Sequence, residues 1–501
     1  MSDHDPQSRV DDGTAETSSE SSWNYFRNVL GSPRLIVAPM VEQSELAWRL
    51  LCRRHGAQLC FTPMLHAAIF ARDASYRREQ LQTSPEDRPL ILQFCANDPD
   101  TFLAACQAIP ARIRFLFYGS TILFLREPDA IDGIDLNLGC PQVIAKRGFY
   151  GAFLSDREHW PLVRNLVSTI HERYKLPVSC KIRIFQDLST TIEYARMLQD
   201  AGCQAAIFIK FKIIQKGAET GLADWSAIAA VKAALRIPVI ANGNLQYTRD
   251  LERCLAATGA DGVMTAEGNL HNPRLFEEGD WPTWEVAEEY LELCRLHPTP
   301  SSCIRGHLFK LFHHTFAIWG SIRELCAKAS TLAEFDGVVQ AVKDVAKDEH
   351  EKWLADKSSY NCGLLPLPHW ICQPYVRASS SGVDSVPEEE RWRRRKTKAE
   401  TSAQLEDLSA ICGLSKRCIR KMAKKGASLP CPESIIQLAS KPREVYVQCG
   451  CGNPIASGCE WRQCRRCCIA EAKSEARSCA KHRIWCDPNR PKPSKIAKIS
   501  T

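Results

Sequence analysis

The run DLNLGCPQ, Asp135 to Gln142, reads as a short buried strand that stops abruptly. Ile134, Leu136 and Leu138 recur with the two-residue period of a strand, and Gly139-Cys140-Pro141 ends it. Gly139 admits backbone angles closed to other residues, and Pro141 cannot continue a hydrogen-bonded ladder. The Cys140 thiol is therefore held in a rigid turn beyond the strand end. An ordinary thiol is mostly protonated at neutral pH, and a protonated thiol at a strand terminus can donate a proton. The competing reading of Cys140 is a buried structural cysteine.

Outward from this run the pattern repeats. Apolar runs that end in turn or functional residues cover Leu35–Met40, Leu59–Met64, Leu90–Ala96, Gly133–Gly139, Val178–Ile184, Ala205–Phe211, Val239–Asn244 and Gly262–Gly268. Helical spacing separates most of them, over Glu45–His55, Asp98–Ala108, His159–Tyr174, Ser189–Asp200, Asp224–Leu235 and Arg249–Ala257. Eight strands alternating with helices over roughly 240 residues predict an α/β fold, the (β/α)8 TIM barrel, whose active site lies at the C-terminal strand ends. A small helical domain and a Cys-rich zinc-binding tail are expected to follow the barrel.

A chain of 501 residues with 45% apolar residues can bury a sizeable core and hold two or three domains. The net charge of +7 is mild for this length and hints at a polyanionic partner without establishing one. Met1 to Ser22 is acidic and Ser-rich, with neither the basic nor the apolar region of a secretory signal. The longest apolar run, Phe115 to Leu125, is too short to span a bilayer. No membrane is expected, and the chain is read as cytoplasmic or nuclear. Its 24 cysteines are then thiols, metal ligands or catalytic groups rather than disulfides.

Beyond the barrel, Glu285–Leu296, Cys303–Gly320, Ser321–Ala329 and Thr331–Leu354 show helical spacing that suits a small bundle. Past Gln373 the composition shifts to Ser379–Gly382, acidic Glu388–Glu390 and then basic Arg391–Lys396 with Trp392 among the charges. That reads as a flexible linker, as a nuclear localisation signal or as an RNA contact. Eight of the cysteines fall between Cys449 and Cys486, and a tail this dense in thiols reads as a metal module, because thiolates bind Zn²⁺ in sets of four. Cys464-x-x-Cys467 and Cys479-x-x-His482 have ligand spacing. The candidate ligands are Cys449, Cys451, Cys459, Cys464, Cys467, Cys468, Cys479 and His482.

Seven motifs lie in register: APMV (Ala38–Val41), TPMLHA (Thr62–Ala67), LQFCANDP (Leu92–Pro99), DLNLGCPQ with AKRGFYGAFL (Ala145–Leu154), KIRIF (Lys181–Phe185), ANGN (Ala241–Asn244) and AEGNLHNPRLF (Ala266–Phe276). In this order the chain resembles the tRNA-dihydrouridine synthases, most of all the eukaryotic branch acting on the D-loop uridines 16 and 17. The tail pattern CGNP…C…CRRCC…CAKH resembles the cysteine-rich end of the same branch, although Cys449 and Cys451 stand where that branch has a CxxC pair.

The resemblance implies flavin-dependent reduction of the uracil 5,6 double bond in tRNA by FMN, with NADPH or NADH as reductant and Cys140 as proton donor. It implies that Pro39 and Met40 pack beside the flavin ring, that Gln93 bonds its polar edge, and that Lys181 reaches its pyrimidine-like edge and ribityl chain. Backbone N–H groups of Asn242-Gly243-Asn244 and Glu267-Gly268 would hold the phosphate, a task that suits strand-to-helix turns. Lys146 and Arg147 would meet tRNA phosphates. The implied division of the chain is a disordered terminus (1–30), an FMN-binding barrel (31–280), a helical tRNA-binding domain (285–375), a flexible basic linker (376–440) and a zinc module (441–490), all in a monomer.

Two departures from the family pattern stand out. Its sixth strand usually ends VHGRT, whereas here Ile209 and Phe211 occupy the His and Arg positions, with Lys210 and Lys212 between and after them. Residues 110–130 are an additional segment carrying an exposed apolar run. Both departures lie between well-matched blocks, as a mis-set splice boundary would leave them. A catalytically impaired tRNA-binding flavoprotein is the alternative function.

Overall fold

The computed structural model describes residues 13–109, 114–118, 121–125, 131–174, 176–209, 223–358, 360–363 and 365–375, and in the tail Cys459, Trp461, Cys467, Cys468 and Cys479. All eight expected strands form: Leu35–Val37, Leu59–Phe61, Leu90–Cys95, Gly133–Leu138, Val178–Arg183, Ala205–Ile209, Val239–Asn242 and Gly262–Thr265. Numbered first to eighth in that order, each is parallel to its chain neighbours. The eighth pairs back with the first, Val263 opposite Leu35, so the sheet closes into a ring. This is the TIM-barrel-like α/β architecture expected from the strand pattern.

Closure gives each strand an inner and an outer face. Ile134, Leu136 and Leu138 of the fourth strand pack outward with Val163, Leu166 and Val167 of the helix Trp160–Thr169. Asp135 and Asn137 take the alternate, inward positions. The expected crossover helices appear as Leu46–Arg54, Pro99–Gln107, Trp160–Thr169, Leu188–Asp200, Trp225–Ala234 and Thr248–Thr258. Asp98, Asp187 and Asp224 cap three of them by accepting backbone N–H bonds. The second crossover is made by two short helices, Ala67–Arg72 and Ala74–Gln80, each too brief to leave a periodic signature.

The expected disorder of 1–30 gives way to structure from Gly13 onward. A helix, Gly13–Asn24, runs into a π-helical turn, Tyr25–Val29. Tyr25, Phe26 and Leu30 enter a buried cluster with Ile36, Leu59, Phe61, Ile91, Ile240 and Met264, drawn from five of the eight strands. The Tyr25 hydroxyl lies where a Cβ on Gly133 would come within 2.1 Å, so only glycine fits at that strand start. The plug thus fills the ring from the N-terminal side of its strands. Residues 1–12 lie outside the described residues.

The first crossover helix, Leu46–Arg54, is anchored by a buried ion cluster. The Arg49 Nη2 and Arg53 Nε atoms lie 2.7 and 3.0 Å from Asp87, and all three residues are almost fully enclosed. Arg49 also donates to the carbonyls of Ser44 and Gln82, and Arg53 to those of Arg88 and Pro89. The same helix supplies Ala47, Trp48, Leu50 and Leu51 to a core shared with the C-terminal helices Thr283–Leu296, Ser301–Leu311, His313–Ile318, Gly320–Lys328 and Leu332–Ala355. The helical segment expected as a separate domain over 285–375 therefore belongs with the barrel to one compact unit, Met1–Arg377. Ala378–Thr501 is a second unit.

Within the expected insertion, Arg114–Tyr118 and Thr121–Leu125 form an antiparallel pair outside the ring. Among the described residues no helix is long and apolar enough to cross a membrane.

Candidate active site

The turn after the fourth strand is fixed on several sides. The Asn137 side-chain oxygen accepts from the N–H groups of Gly139 (3.1 Å) and Cys140 (2.9 Å). The Cys140 carbonyl accepts from Ala152 N–H, and Arg183 donates to the Gly139 carbonyl. Gly151, at φ +67°, presses so closely that a Cβ would lie 2.8 Å from the Cys140 oxygen. The Cys140 side chain itself stays partly exposed, beside Met64, Cys95 and Tyr150. A partly open thiol on a turn with no freedom to drift suits a proton donor.

Inside the ring beneath this turn lies a buried polar layer. Asp135 accepts from Gln93 Nε2 (2.7 Å) and from the Ser179 hydroxyl (2.6 Å). Asn137 Nδ2 donates to Gln93 Oε1 at 2.9 Å. Lys181, opposite Asn137 in register, donates to Asn242 Oδ1 at 2.8 Å. Burial raises the Asp135 pKa and lowers that of Lys181, each resisted by the other's opposite charge. The Lys181 ammonium, 4% exposed, has a neutral amide as its hydrogen-bond partner, an arrangement that an anionic ligand would improve.

Lys181 and Asn242 connect this layer to a cleft at the ends of the seventh and eighth strands. The cleft, about 470 Å³ including the solvent it opens to, is lined by Asn242–Gln246 and Met264–Gly268. All five residues expected at a phosphate, Asn242, Gly243, Asn244, Glu267 and Gly268, face this single space. Gly243 and Asn244 take positive φ (144° and 57°), which turns the chain sharply. A Cβ on Gly268 would come 2.1 Å from the Leu245 carbonyl, so glycine is required for the two loops to approach. The Asn242 side chain is already engaged with Lys181 and the Met264 carbonyl, which leaves its backbone to serve the cleft. A close-set pair of turns next to a buried lysine fits a phosphate-bearing cofactor.

The remaining expected residues fall around the mouth. Pro39 and Met40 follow the first strand and are half-buried, with Met40 held by Ser44. Gln93, expected at the polar edge of the flavin, lies in the polar layer beneath the mouth. It is 1% exposed and its amide bonds Asp135 and Asn137, so it braces the polar layer. Lys146 and Arg147 are exposed on the helix Val143–Gly148, one turn past Cys140. Ile209 ends the sixth strand opposite Arg183 and Asn242 in register, while Lys210, Phe211 and Lys212 lie outside the described residues.

Asp135, Asn137 and Arg183 join the site without having been singled out from the sequence. Their signal was polarity on a strand expected to be buried on both faces. Arg183 is also two residues beyond Lys181 and so shares its face of the strand.

In the tail, the sulfurs of Cys459, Cys468 and Cys479 lie within 4.8 Å of one another and are buried. The Cys459 sulfur is 3.9 Å from that of Cys468 and 3.8 Å from that of Cys479. Tetrahedral Zn²⁺ with bonds of roughly 2.3 Å sets its thiolate sulfurs about 3.8 Å apart, so the trio fits that ion. Cys467 is half-exposed and outside the trio, and Cys449, Cys451, Cys464 and His482 lie outside the described residues.

The model of the dihydrouridine synthase (Dus) family matches residues 36–113 and 124–355, a match that breaks inside the expected insertion. The tRNA-dihydrouridine(16/17) synthase [NAD(P)(+)]-like protein of Rattus norvegicus is 44% identical, over 93% of this chain and 99% of the relative. The tRNA-dihydrouridine(16/17) synthase [NAD(P)(+)] of Saccharomyces cerevisiae is 39% identical over 70% of this chain and 84% of the relative. The tRNA-dihydrouridine(20a/20b) synthase [NAD(P)+]-like protein of Mus musculus is 33% identical, over 54% and 78%.

Proposed function

The chain belongs to the dihydrouridine synthase family, and from that premise we propose that it reduces the 5,6 double bond of D-loop uridines 16 and 17 in tRNA. FMN is the cofactor and NADPH or NADH the reductant. The observation that carries the reading is the pinned, partly open Cys140 turn on the same barrel mouth as a buried lysine and a cleft between two glycine-containing turns.

When bound, FMN would supply hydride chemistry for C6 of uracil. Cys140 holds the proton for C5. Lys181 and the turns Asn242–Asn244 and Glu267–Gly268 would hold the cofactor's anionic groups, with Pro39, Met40 and Gln93 on the side of its ring. A uridine stacked in the tRNA elbow must be extruded to reach this mouth, and Lys146 and Arg147 meet the flanking phosphates. Affinity for tRNA then falls steeply with salt. Zinc bound by Cys459, Cys468 and Cys479, with a fourth tail ligand, orders the C-terminal module.

The test is incubation of the full chain with NADPH and unmodified tRNA, followed by mapping of dihydrouridine. Product at positions 16 and 17 supports the proposal. Flavin binding without any product would favour the impaired homologue, a reading that rests on Ile209 at the sixth strand end.

Lys181→Met keeps the stem of the side chain and removes the buried charge. Loss of one charged hydrogen bond to an anion costs ~1.5–3 kcal/mol, so FMN should bind roughly 10- to 100-fold more weakly. Flavin titration by fluorescence checks this, and unchanged affinity would remove Lys181 from the cofactor site.

Treating the full chain with a strong zinc chelator should unfold the tail and leave FMN in the barrel, since thiolate ligation provides ~10 kcal/mol or more of such a module's folding free energy. Metal analysis finding well under one zinc per chain before chelation would reject the metal module.

A further inference from the structure

Asp135 is fully enclosed, yet nothing in the proton transfer itself calls for a carboxylate at this depth. Its neighbours form a directed chain of hydrogen bonds. At one end the carboxylate accepts from Gln93 Nε2 (2.7 Å). In the middle Gln93 Oε1 accepts from Asn137 Nδ2 (2.9 Å). At the far end Asn137 Oδ1 accepts from the N–H groups of Gly139 and Cys140 (3.1 and 2.9 Å). An amide can turn over and exchange its donor for its acceptor. Here neither amide is free to do so, because an acceptor-only group stands at one end and two backbone donors at the other.

We propose that Asp135 is a positioning residue whose carboxylate sets the polarity of this two-amide relay and thereby holds the Cys140 turn. The proposal rests on the reading of Cys140 as the proton donor. With the carboxylate in place, each donor in the relay meets an acceptor. An amide at position 135 can keep its oxygen toward Gln93 only by turning its N–H₂ on the Ser179 hydroxyl. That hydroxyl must then accept and send its own proton to the Ile134 carbonyl 3.4 Å away. In the other orientation Gln93 faces the N–H₂ donor to donor or must turn over. A turned Gln93 presents N–H₂ to Asn137, which must turn in its own right. Asn137 then offers N–H₂ to the two N–H groups of the turn, which lose their acceptor. One arrangement leaves the Ser179 hydroxyl with a long bond and the others leave a buried donor unsatisfied, and the cheapest place to relieve the latter is the half-exposed turn.

The test uses Asp135→Asn, Gln93→Glu and the double variant, made in the full chain. Asp135→Asn changes no volume and should lower kcat for tRNA reduction ~10²-fold, as misplacement of a reacting group by a fraction of its reach does. The KM for tRNA should change little. Gln93→Glu alone sets two carboxylates face to face and should also be slow. The double variant restores the polarity, because a carboxylate at position 93 accepts both from the amide introduced at position 135 and from Asn137. It should therefore be faster than both single variants. Ser179→Ala removes the other partner of the same carboxylate without touching the relay and should keep near-wild-type kcat.

A second readout needs no turnover: the rate at which iodoacetamide alkylates Cys140, followed by peptide mass spectrometry. It should rise in Asp135→Asn and return toward wild type in the double variant. If the wild type fails to reduce tRNA, the functional reading falls while the alkylation series still reports the relay. A double variant no faster than the slower single, or alkylation rates that do not change across the series, would overturn the proposal. So would a Ser179→Ala variant as impaired as Asp135→Asn. If Asp135→Asn does not fold, the double variant must fold, and its failure to do so would be equally decisive.

Discussion

Cys140→Ala will bind FMN as the wild type does and reduce unmodified tRNA ~10²–10⁴-fold more slowly, the usual loss when a general acid is removed. The separation of the two effects follows from the site's layout. The cleft formed by the seventh and eighth strands and the Lys181 amine hold the cofactor's anionic parts, and neither depends on the thiol. The turn around residue 140 is fixed by its own backbone, by Asn137, Arg183 and Gly151, and alanine leaves all of these contacts in place. Flavin absorbance and single-turnover reduction of tRNA, measured on the same sample, check the two halves together. A Cys140→Ala protein keeping more than about half of the wild-type rate would reject the thiol as proton donor.

Asp87→Ala should destabilise the barrel unit by ~3–5 kcal/mol, the cost of stranding buried charge when one partner of an enclosed ion cluster is removed. Two guanidinium groups share this one carboxylate, and both are nearly sealed from water. The carbonyls that Arg49 and Arg53 also bond accept their N–H groups but do not neutralise their charge. The effect should reach beyond the barrel, because the helix that carries both arginines supplies Trp48, Leu50 and Leu51 to the core of the C-terminal helices. Urea denaturation followed by circular dichroism measures it. A loss below ~1 kcal/mol would mean that water reaches the cluster and takes the carboxylate's place.

The barrel was legible because eight short, mainly apolar runs, each ended by turn or functional residues, alternate with mostly helical spacing. The second crossover was not, because helices of six and seven residues complete too few turns to display a period. The N-terminal plug was hidden for a different reason. Gly13–Asn24 is polar, and its contribution to the core rests on Tyr25 and Phe26, whose partners are strands far along the chain.

At the site, Cys140, Lys181 and the two phosphate-cleft turns could be placed because each sits at a strand end with its own local signature. Asp135 lay in plain view within the most informative run. Its importance depends on Gln93, a partner 42 positions away that no local pattern reveals. In the tail, cysteine density announced a metal, but spacing paired Cys464 with Cys467 and Cys479 with His482. The structure brings together Cys459, Cys468 and Cys479, three of the candidate ligands, while Cys464 and His482 lie outside the described residues.

The plug also bears on the order in which the molecule comes together. Tyr25 and Phe26 share one buried cluster with residues from the first, second, third, seventh and eighth strands. Their seat is incomplete until Met264 arrives and the last strand zips against the first. Contacts spanning so much chain carry a large closure entropy and form late. The plug therefore works as a latch that engages after the ring has closed, and reopening the ring requires the latch to lift. Among the described residues, the stretch synthesised first is the one that must wait longest for its place.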